Sequence, residues 1–230
     1  MIVIIENLLD AEDLTLVDET LARARFRDGG ASAGGAAAAR KRNQEMDRAG
    51  TPGVEALETL LVRALAANRR FSDHVLPCRF SRPIVSRYEP GMEYGRHVDN
   101  PLLGGPLLGG MGGMLRTDVS VTTFLSDPGT YDGGELMIEA EGVERAIKLP
   151  RGHAVAYVTG TPHRVAPVTR GARVAGILWA QSMVADPHRR GILSDLHRAH
   201  HLLAEKAPDA PETDLLHQGY YNLVRLWARP

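Results

Sequence analysis

The stretch Tyr88-Glu89-Pro90-Gly91-Met92-Glu93-Tyr94-Gly95-Arg96-His97-Val98-Asp99-Asn100-Pro101 carries a histidine and an aspartate two positions apart. Because side chains alternate across an extended strand, His97 and Asp99 point to the same face. An imidazole nitrogen and a carboxylate oxygen can then bind one metal ion. The pair predicts two ligands of a two-histidine, one-carboxylate site, which is typical of non-haem Fe(II) oxygenases and leaves positions open for substrate and O2.

The third ligand is expected from a later strand. His163 is the best candidate, because it follows Thr161-Pro162 and the residues after it have the composition of a strand. His153 lies in a turn-like segment and is interpreted as an exposed turn histidine. His197 and His201 are four residues apart in a predicted helix, but the glutamate of the zinc-protease pattern is absent after the first of them. We interpret these two as part of a polar helix surface.

Arg173 lies ten positions after His163, just before the apolar segment Val174 to Trp179. A guanidinium can bind a carboxylate through two parallel hydrogen bonds. We expect Arg173 to hold the far carboxylate of a dicarboxylic co-substrate, with help from the Tyr88 hydroxyl. Taken alone, Arg173 would be interpreted as an exposed cation, and its distance along the chain from His163 favours the functional role.

The composition limits the possible partners, disulfides and cellular location of the protein. The chain has 230 residues, of which 43% are hydrophobic, and a formal net charge of -1. The near-zero charge offers no argument for nucleic acid or an anionic membrane as partner. A single cysteine, Cys78, excludes an internal disulfide. The first residues lack the features of a signal peptide and no stretch is as long as a membrane span, so a cytoplasmic protein is expected.

Periodicity predicts a β-rich centre between helical flanks. Asp10 and Asp13 are placed to cap a first helix, and apolar spacing predicts a second helix from Pro52 to Asn68. Two further helices are expected after Trp179, one opening at Asp186-Pro187. Between the flanks, short strands with turn signals predict an antiparallel sandwich or barrel. The predicted strands are Ile2 to Ile5, Arg79 to Tyr88, Ser120 to Leu125, Glu135 to Ala140, Ala146 to Lys148, Ala154 to Val158 and Val174 to Trp179.

Three segments are predicted to be loops. Gly29 to Ala39 is rich in Gly and Ala, and Gly104 to Gly113 is a Gly-rich piece that matches no phosphate-binding pattern and is expected beside the metal pair. Arg40-Lys41-Arg42-Asn43-Gln44 is interpreted as a solvated basic loop. The alternative is a segment that folds over the mouth of the active site and meets an anionic substrate.

These motifs together resemble the prolyl/lysyl hydroxylase superfamily of Fe(II)/2-oxoglutarate dioxygenases, and more narrowly the bacterial PKHD-type hydroxylases. The resemblance extends over nearly the whole chain. One departure is the segment Leu102 to Gly113, which is unusually rich in Gly and Leu. The motifs that carry it are Arg87 to Pro101, Thr122 to Ser126, Tyr131 to Leu136, Pro162 to Val165 with Arg173, Arg40 to Gln44, Arg116 to Asp118 and Trp179 to Val184.

The resemblance implies a mainly β fold, with a double-stranded β-helix (jelly-roll) core at 78–182, an N-terminal strand and helical flank at 1–77, and a C-terminal helical extension at 183–230. It implies Fe(2+), 2-oxoglutarate and L-ascorbate (vitamin C) as cofactors, with ascorbate keeping the iron reduced. The implied roles are His97, Asp99 and His163 as catalytic iron ligands, Arg173 as the 2-oxoglutarate anchor, Tyr88 as its helper and Leu136 in the co-substrate pocket.

The implied activity is hydroxylation of a small-molecule or peptidyl substrate with O2, releasing succinate and CO2. Two other classes stay open at this point. A Zn-dependent hydrolase could use the same ligands with Glu93 as general base, and a non-enzymatic sensor could bind iron or 2-oxoglutarate without turnover. The helical flanks are also compatible with a homodimer.

Overall fold

The computed structural model describes residues 1–30, 38–108, 113–140 and 142–229, with Pro106 described by its backbone alone. Five helices are found in this part of the chain: α1 Ala11–Ala22, α2 Val54–Ala67, α3 Arg69–Val75, α4 Pro187–Ala204 and α5 Pro211–Trp227. The strands of the same residues are β1 Ile2–Ile5, β2 Phe26–Asp28, β3 Lys41–Arg42, β4 Gln44–Met46, β5 Pro77–Phe80, β6 Ile84–Tyr88, β7 Glu93–His97, β8 Leu102–Leu103, β9 Leu115–Arg116, β10 Val119–Phe124, β11 Asp132–Gly133, β12 Leu136–Ala140, β13 Val143–Ile147, β14 Ala154–Val158, β15 His163–Val165, β16 Val168–Arg170 and β17 Arg173–Ser182.

Two antiparallel sheets form the centre of the molecule. The larger sheet has the order β1-β14-β10-β17-β6-β4-β2, with β5 pairing with β17 beyond this path. The smaller sheet has the order β13-β12-β15-β7-β3. Two short ladders, β8 with β9 and β11 with β16, lie outside both sheets. Residues of both sheets line one cavity, so the sheets face each other across it.

The middle of the larger sheet is buried on both faces. Every residue of β10 is buried, and the strand pairs with β14 on one side and β17 on the other. Its Val and Thr side chains favour a strand because β-branched residues pack well on a pleated surface. This strand gives the cavity a rigid wall on one side.

Helices α1 and α2 pack on the outer side of the larger sheet. As predicted, α1 begins with a reciprocal cap, in which the Asp13 backbone N–H donates to the Asp10 carboxylate over 2.9 Å. Helix α2 occupies Val54–Ala67, inside the predicted range, and buries an apolar face that includes Leu61. A side chain at Gly176 of β17 would come within 2.8 Å of Leu61, so the glycine permits the close approach of helix and sheet.

The C-terminal helices form a separate hydrophobic cluster. Helix α4 begins after Asp186, as the sequence predicted, and the Asp186 carboxylate accepts hydrogen bonds from the first-turn backbone. Leu193 of α4 packs with Leu76 and Val184. Arg190 is buried beneath them and donates to the Val184 carbonyl over 2.8 Å. None of the described helices combines the length and apolarity needed to cross a bilayer.

The basic segment 40–44 is not the solvated loop that its charge predicted. Lys41 and Arg42 form β3, which pairs with β7, and Gln44 opens β4, which pairs with β6. The Lys41 side chain is only 8% exposed and its Nζ lies 2.5 Å from a Glu45 carboxylate oxygen. The prediction was wrong because the open edges of both sheets supply backbone partners that a reading of local charge does not consider.

The two glycine-rich segments are described only in part. Residues 31–37 of the predicted loop Gly29 to Ala39 lie outside the described residues, as do residues 109–112 of the loop Gly104 to Gly113. Within the second segment, Gly105–Leu108 forms a 3₁₀ turn. Leu103 and Leu107 line the cavity, so the described part lies beside the metal pair, as expected.

Candidate metal and co-substrate site

Three of the predicted side chains meet at one end of the cavity. His97 ends β7, Asp99 follows it, and His163 opens β15, which pairs with β7 so that the two histidines are direct partners. Asp99 Oδ1 lies 3.4 Å from His97 Nε2 and 3.6 Å from His163 Nε2. All three ligand atoms lie within 4.8 Å of one another. A single ion can therefore contact all three.

Each histidine is held by a backbone carbonyl two residues earlier. His97 Nδ1 lies 2.8 Å from the Gly95 carbonyl, and His163 Nδ1 lies 3.0 Å from the Thr161 carbonyl. A carbonyl only accepts, so each Nδ1 carries the proton in this arrangement and each Nε2 keeps a free lone pair. The outer hydrogen bond thus fixes both the orientation and the tautomer that metal binding needs.

Asp99 uses its other oxygen for hydrogen bonds. Oδ2 accepts from Trp179 Nε1 over 2.9 Å and from Ser120 Oγ over 2.8 Å, while Oδ1 faces the histidines. Burial alone would raise the pKa of Asp99. The neighbouring His97 and His163 rings and the N–H donor of Trp179 instead lower the pKa of Asp99 to about 2, so the carboxylate is ionised.

Aromatic rings enclose the two imidazoles. Tyr94 stacks on His97 with ring centroids 3.6 Å apart, and Tyr157 meets the edge of His163 at 5.1 Å. The register shift between His163 and Val165 in the ladder with β7 lets both Tyr94 and His97 face the cavity. Burial lowers the pKa of His163 and raises the pKa of Tyr94 to about 12. The rings therefore present neutral groups around the triad.

The donor set fits a ferrous ion. Two neutral imidazole nitrogens and one carboxylate oxygen are oriented from outside and have no other partner for their inner lone pairs among the described residues. A two-histidine, one-carboxylate face with open positions matches non-haem Fe(II) chemistry and differs from a closed structural zinc site. The chemistry of the donors, rather than any bound ion, supports this assignment.

Arg173 lies at another part of the same cavity and is almost completely buried, with 1% exposed. Its Nε has no hydrogen-bond partner, and no carboxylate pairs with its guanidinium within the described ranges. The guanidinium lies 5.4 Å from the centre of the Tyr88 ring and 5.5 Å from that of Phe124. Because a buried unpaired charge is costly, this guanidinium indicates a site for an anion.

Tyr88 and Leu136 also line this cavity, as their predicted roles require. Tyr88 is the register partner of Arg173 across β6 and β17. Both side chains are buried, with 3% of Tyr88 and 2% of Leu136 exposed. Burial raises the pKa of Tyr88 against the opposing effect of Arg173, so its hydroxyl is a neutral hydrogen-bonding group.

The Gly133-Gly134 pair makes room for the arginine. Both residues have positive φ, at 72° and 68°. A side chain at Gly134 would come within 3.1 Å of Arg173 Cδ and 3.2 Å of Tyr131 Cε2. The pair therefore lets the turn before β12 close over the arginine stem, which explains the two glycines of the Tyr131 to Leu136 motif.

Sequence reasoning missed the side chains that surround the triad. Trp179 and Ser120 bind Asp99, and Tyr94 stacks on His97, yet none was named as a site residue. Alternation along β17 could have found Trp179, because residues 173, 177 and 179 share one face and all line the cavity. No local signal marks Ser120, whose role depends on the position of β10 in the sheet.

Other charged candidates lie outside the triad. Glu93, named as the general base of a hydrolase, forms an ion pair with Arg42 and its side chain is 32% exposed. His153 lies just before β14 and is half-buried, not exposed as predicted, and its backbone carbonyl accepts a hydrogen bond from the Phe124 N–H over 2.9 Å. His197 and His201 lie on α4. Glu93, the general base that the hydrolase hypothesis named, is therefore paired with Arg42 and is not grouped with the three ligands.

Comparison with known proteins decides between the remaining classes. The profile of the 2OG-Fe(II) oxygenase superfamily matches residues 83–181. A PKHD-type hydroxylase of Synechococcus elongatus is 42% identical over 228 residues, covering 99% of this chain and 100% of that protein. The chain belongs to the PKHD-type hydroxylases. As a PKHD-type hydroxylase it is an oxygenase that depends on Fe(II) and 2-oxoglutarate, as the sequence resemblance implied.

Solved structures confirm the fold of this PKHD-type hydroxylase. A prolyl-4-hydroxylase from Pseudomonas putida matches with a TM-score of 0.51 at 22% identity, covering 79% of this chain and 92% of that chain. A prolyl hydroxylase from Trichoplax adhaerens, in complex with a peptide fragment of the hypoxia inducible factor, matches with a TM-score of 0.54 at 19% identity and covers 78% and 82%. The predicted mainly β, jelly-roll core with helical flanks is confirmed.

Proposed function

We propose that His97, Asp99 and His163 bind the iron of this oxygenase, and that Arg173 binds the far carboxylate of 2-oxoglutarate. Both roles are supported by one observation: the same cavity holds groups that can bind a cation and, elsewhere, a group that can bind an anion. Two inward imidazole lone pairs and an ionised carboxylate lie at one place, and a buried guanidinium without a carboxylate partner among the described residues lies at another. A diacid that reaches both satisfies each of them.

Each protein group then has a defined task. Bound iron, with 2-oxoglutarate and O2, supplies the oxidising chemistry that ends in succinate, CO2 and a hydroxylated product. Trp179 and Ser120 hold the Asp99 carboxylate, and the carbonyls of Gly95 and Thr161 hold the imidazoles. Tyr88 would donate to the co-substrate carboxylate beside Arg173, and Leu136 would pack on its carbon chain while excluding water.

The proposed substrate is a peptidyl side chain or a small molecule that enters this cavity and reaches the triad. Lys41, Asn100, Leu103 and Leu107 line the cavity. Lys41 is paired with Glu45, which lines the cavity too, so this ion pair lies among the apolar leucine side chains. The peptide bound by the Trichoplax adhaerens relative makes a peptide one reasonable class to test first.

We further infer a requirement for L-ascorbate, a cytoplasmic location and the division 1–77, 78–182 and 183–230. Ascorbate is supported by the family resemblance, since iron in such open sites needs to be kept reduced. The location is supported by the single, free cysteine, Cys78. The homodimer stays a prediction, and the exposed leucines on the C-terminal helices, Leu202, Leu215 and Leu226, give a surface on which to test it.

The direct test is an anaerobic titration with Fe(II) and 2-oxoglutarate, followed by O2 and candidate peptides and small molecules. We expect O2-dependent succinate formation and a product that is heavier by one oxygen atom in mass spectrometry. Adding ascorbate should extend the number of turnovers. Binding of 2-oxoglutarate without succinate under any condition would favour the sensor, and hydrolysis without O2 would favour the hydrolase.

A further inference from the structure

A second pair of histidines lies on the C-terminal helix α4, outside the oxygenase cavity. His197 and His201 are one helical turn apart, and their Nε2 atoms are 3.1 Å apart. We propose that these two side chains form a second metal site, specific for a divalent ion that favours imidazole, such as Zn²⁺. Two ring nitrogens bound to one zinc at about 2.0–2.1 Å lie roughly 3.3 Å from each other, so the pair needs little rearrangement.

Asp73 of α3 supports the first histidine. Its Oδ1 lies 3.5 Å from His197 Nδ1. A carboxylate on this side of the ring favours a proton on Nδ1, which leaves the Nε2 lone pair free for a metal, and metal-bound histidines commonly have such a partner.

Arg69 presently contacts the second histidine. Its NH2 group lies 2.7 Å from His201 Nε2, so the guanidinium competes with any metal for this position. The Arg69 side chain is 70% exposed and its ion pair with Asp73 is long, at 3.9 Å. Rotation into solvent therefore costs little. The arrangement makes a distinct prediction, because removing a cation next to the ring should strengthen metal binding.

The site would connect two parts of the fold. His197 and His201 belong to the C-terminal extension, whereas Asp73 belongs to α3, which directly precedes β5 of the larger sheet. Because the side chains of His197 and Asp73 are 20% and 29% exposed, water can complete the coordination. A bound metal would thus strengthen the contact of α4 with α3 without touching the cavity. The site is independent of iron binding.

The experiment is a Zn²⁺ titration, followed by calorimetry, of four forms of the full chain: the unchanged protein, His163→Ala, His201→Ala and the double variant. His163→Ala removes one donor of the cavity triad, so zinc bound there does not obscure the second site. We expect His163→Ala to bind one equivalent and the double variant to bind none. Equal binding by these two forms would overturn the proposal, whatever the cavity triad does with zinc.

Three further variants show whether the named contacts matter. Arg69→Ala should tighten zinc binding, and Asp73→Asn should weaken it by ~10–100-fold, the usual cost of losing an outer hydrogen bond to a metal ligand. His188→Ala, in the first turn of the same helix, is the matched control and should change nothing. Circular dichroism checks that each variant is folded. If Arg69→Ala and Asp73→Asn both bound zinc with the affinity of the unchanged protein, the assignment would be contradicted.

Discussion

The triad and Arg173, at the two ends of the oxygenase cavity, differ in the kind of binding partner that each lacks. At the triad, outer atoms are fully hydrogen-bonded and only acceptor lone pairs face inward. At Arg173, the side chain is equally buried but its guanidinium has no acceptor among the described residues. One end therefore fits a cation and the other fits an anion. A 2-oxoglutarate molecule joined to iron meets both requirements at once.

The comparison also shows how each end is held. The triad is fixed by hydrogen bonds from two sheets, since Trp179 and Ser120 come from β17 and β10 while both histidines come from the smaller sheet. Arg173 is fixed by packing against aromatic rings and the Gly134 turn. Substitutions at the triad should therefore act through metal affinity, and those at Arg173 through co-substrate affinity.

The largest effect is expected for His163→Ala, and likewise for His97→Ala and Asp99→Ala. Removing a donor leaves two protein ligands, so iron binding should fall by more than the ~10–100-fold caused by loss of an outer hydrogen bond. Succinate formation should be abolished. Iron affinity and turnover are measured side by side, with His153→Ala, just before β14 and outside the cavity lining, as the control. A variant with undiminished succinate production would remove that residue from the ligand set.

Arg173→Ala should separate the two ends of the cavity. Loss of the charged partner of a buried carboxylate costs about 2–5 kcal/mol, which raises the KM for 2-oxoglutarate by roughly 30-fold or more. Iron affinity should stay unchanged. Arg170→Ala serves as the matched control, because Arg170 is a surface residue paired with Asp132 and 59% exposed. If KM were the same in both variants, Arg173 would not be the anchor.

Trp179→Phe tests the support of the triad. The change keeps an aromatic ring and deletes the Nε1–H that donates to Asp99. Iron affinity should fall by ~10–100-fold, with a KM for 2-oxoglutarate close to that of the unchanged protein. The other tryptophan, Trp227, is the last residue of α5 and packs on the C-terminal hydrophobic cluster, so Trp227→Phe is the control. A selective rise in KM alone would place Trp179 at the co-substrate rather than at the metal.

Ser120→Ala should have the smallest effect of the series. Trp179 continues to donate to the same Asp99 oxygen, so iron affinity should fall by about 10-fold at most. Combined with Trp179→Phe, the loss should exceed the sum of the two free-energy changes, because both groups hold one carboxylate. Additive losses in a double-mutant cycle of iron affinities would mean that the two hydrogen bonds act separately.

Local rules explain much of what could be predicted. The capped start of α1, the start of α4 at Asp186 and the strand Ala154–Val158 follow from residues close together in sequence. The basic segment 40–44 was misread because the sheet edges that take up β3 and β4 lie some forty or more residues further along the chain. The bulge that turns both Tyr94 and His97 toward the cavity breaks the strict alternation of a strand. No periodic pattern in the sequence could therefore have predicted it.

The amino-acid sequence by itself determined the His97–Asp99 pair, the candidacy of His163 and Arg173, and the family. Only the tertiary structure decided that Trp179 and Ser120 hold Asp99, that Arg173 is buried without a carboxylate partner among the described residues, and that Asp73 of α3 lies beside His197 of α4. The physical reason is the distance along the chain over which each property is determined. Chain neighbours set the face on which a side chain points, whereas burial and the choice of partner depend on how distant strands and helices pair.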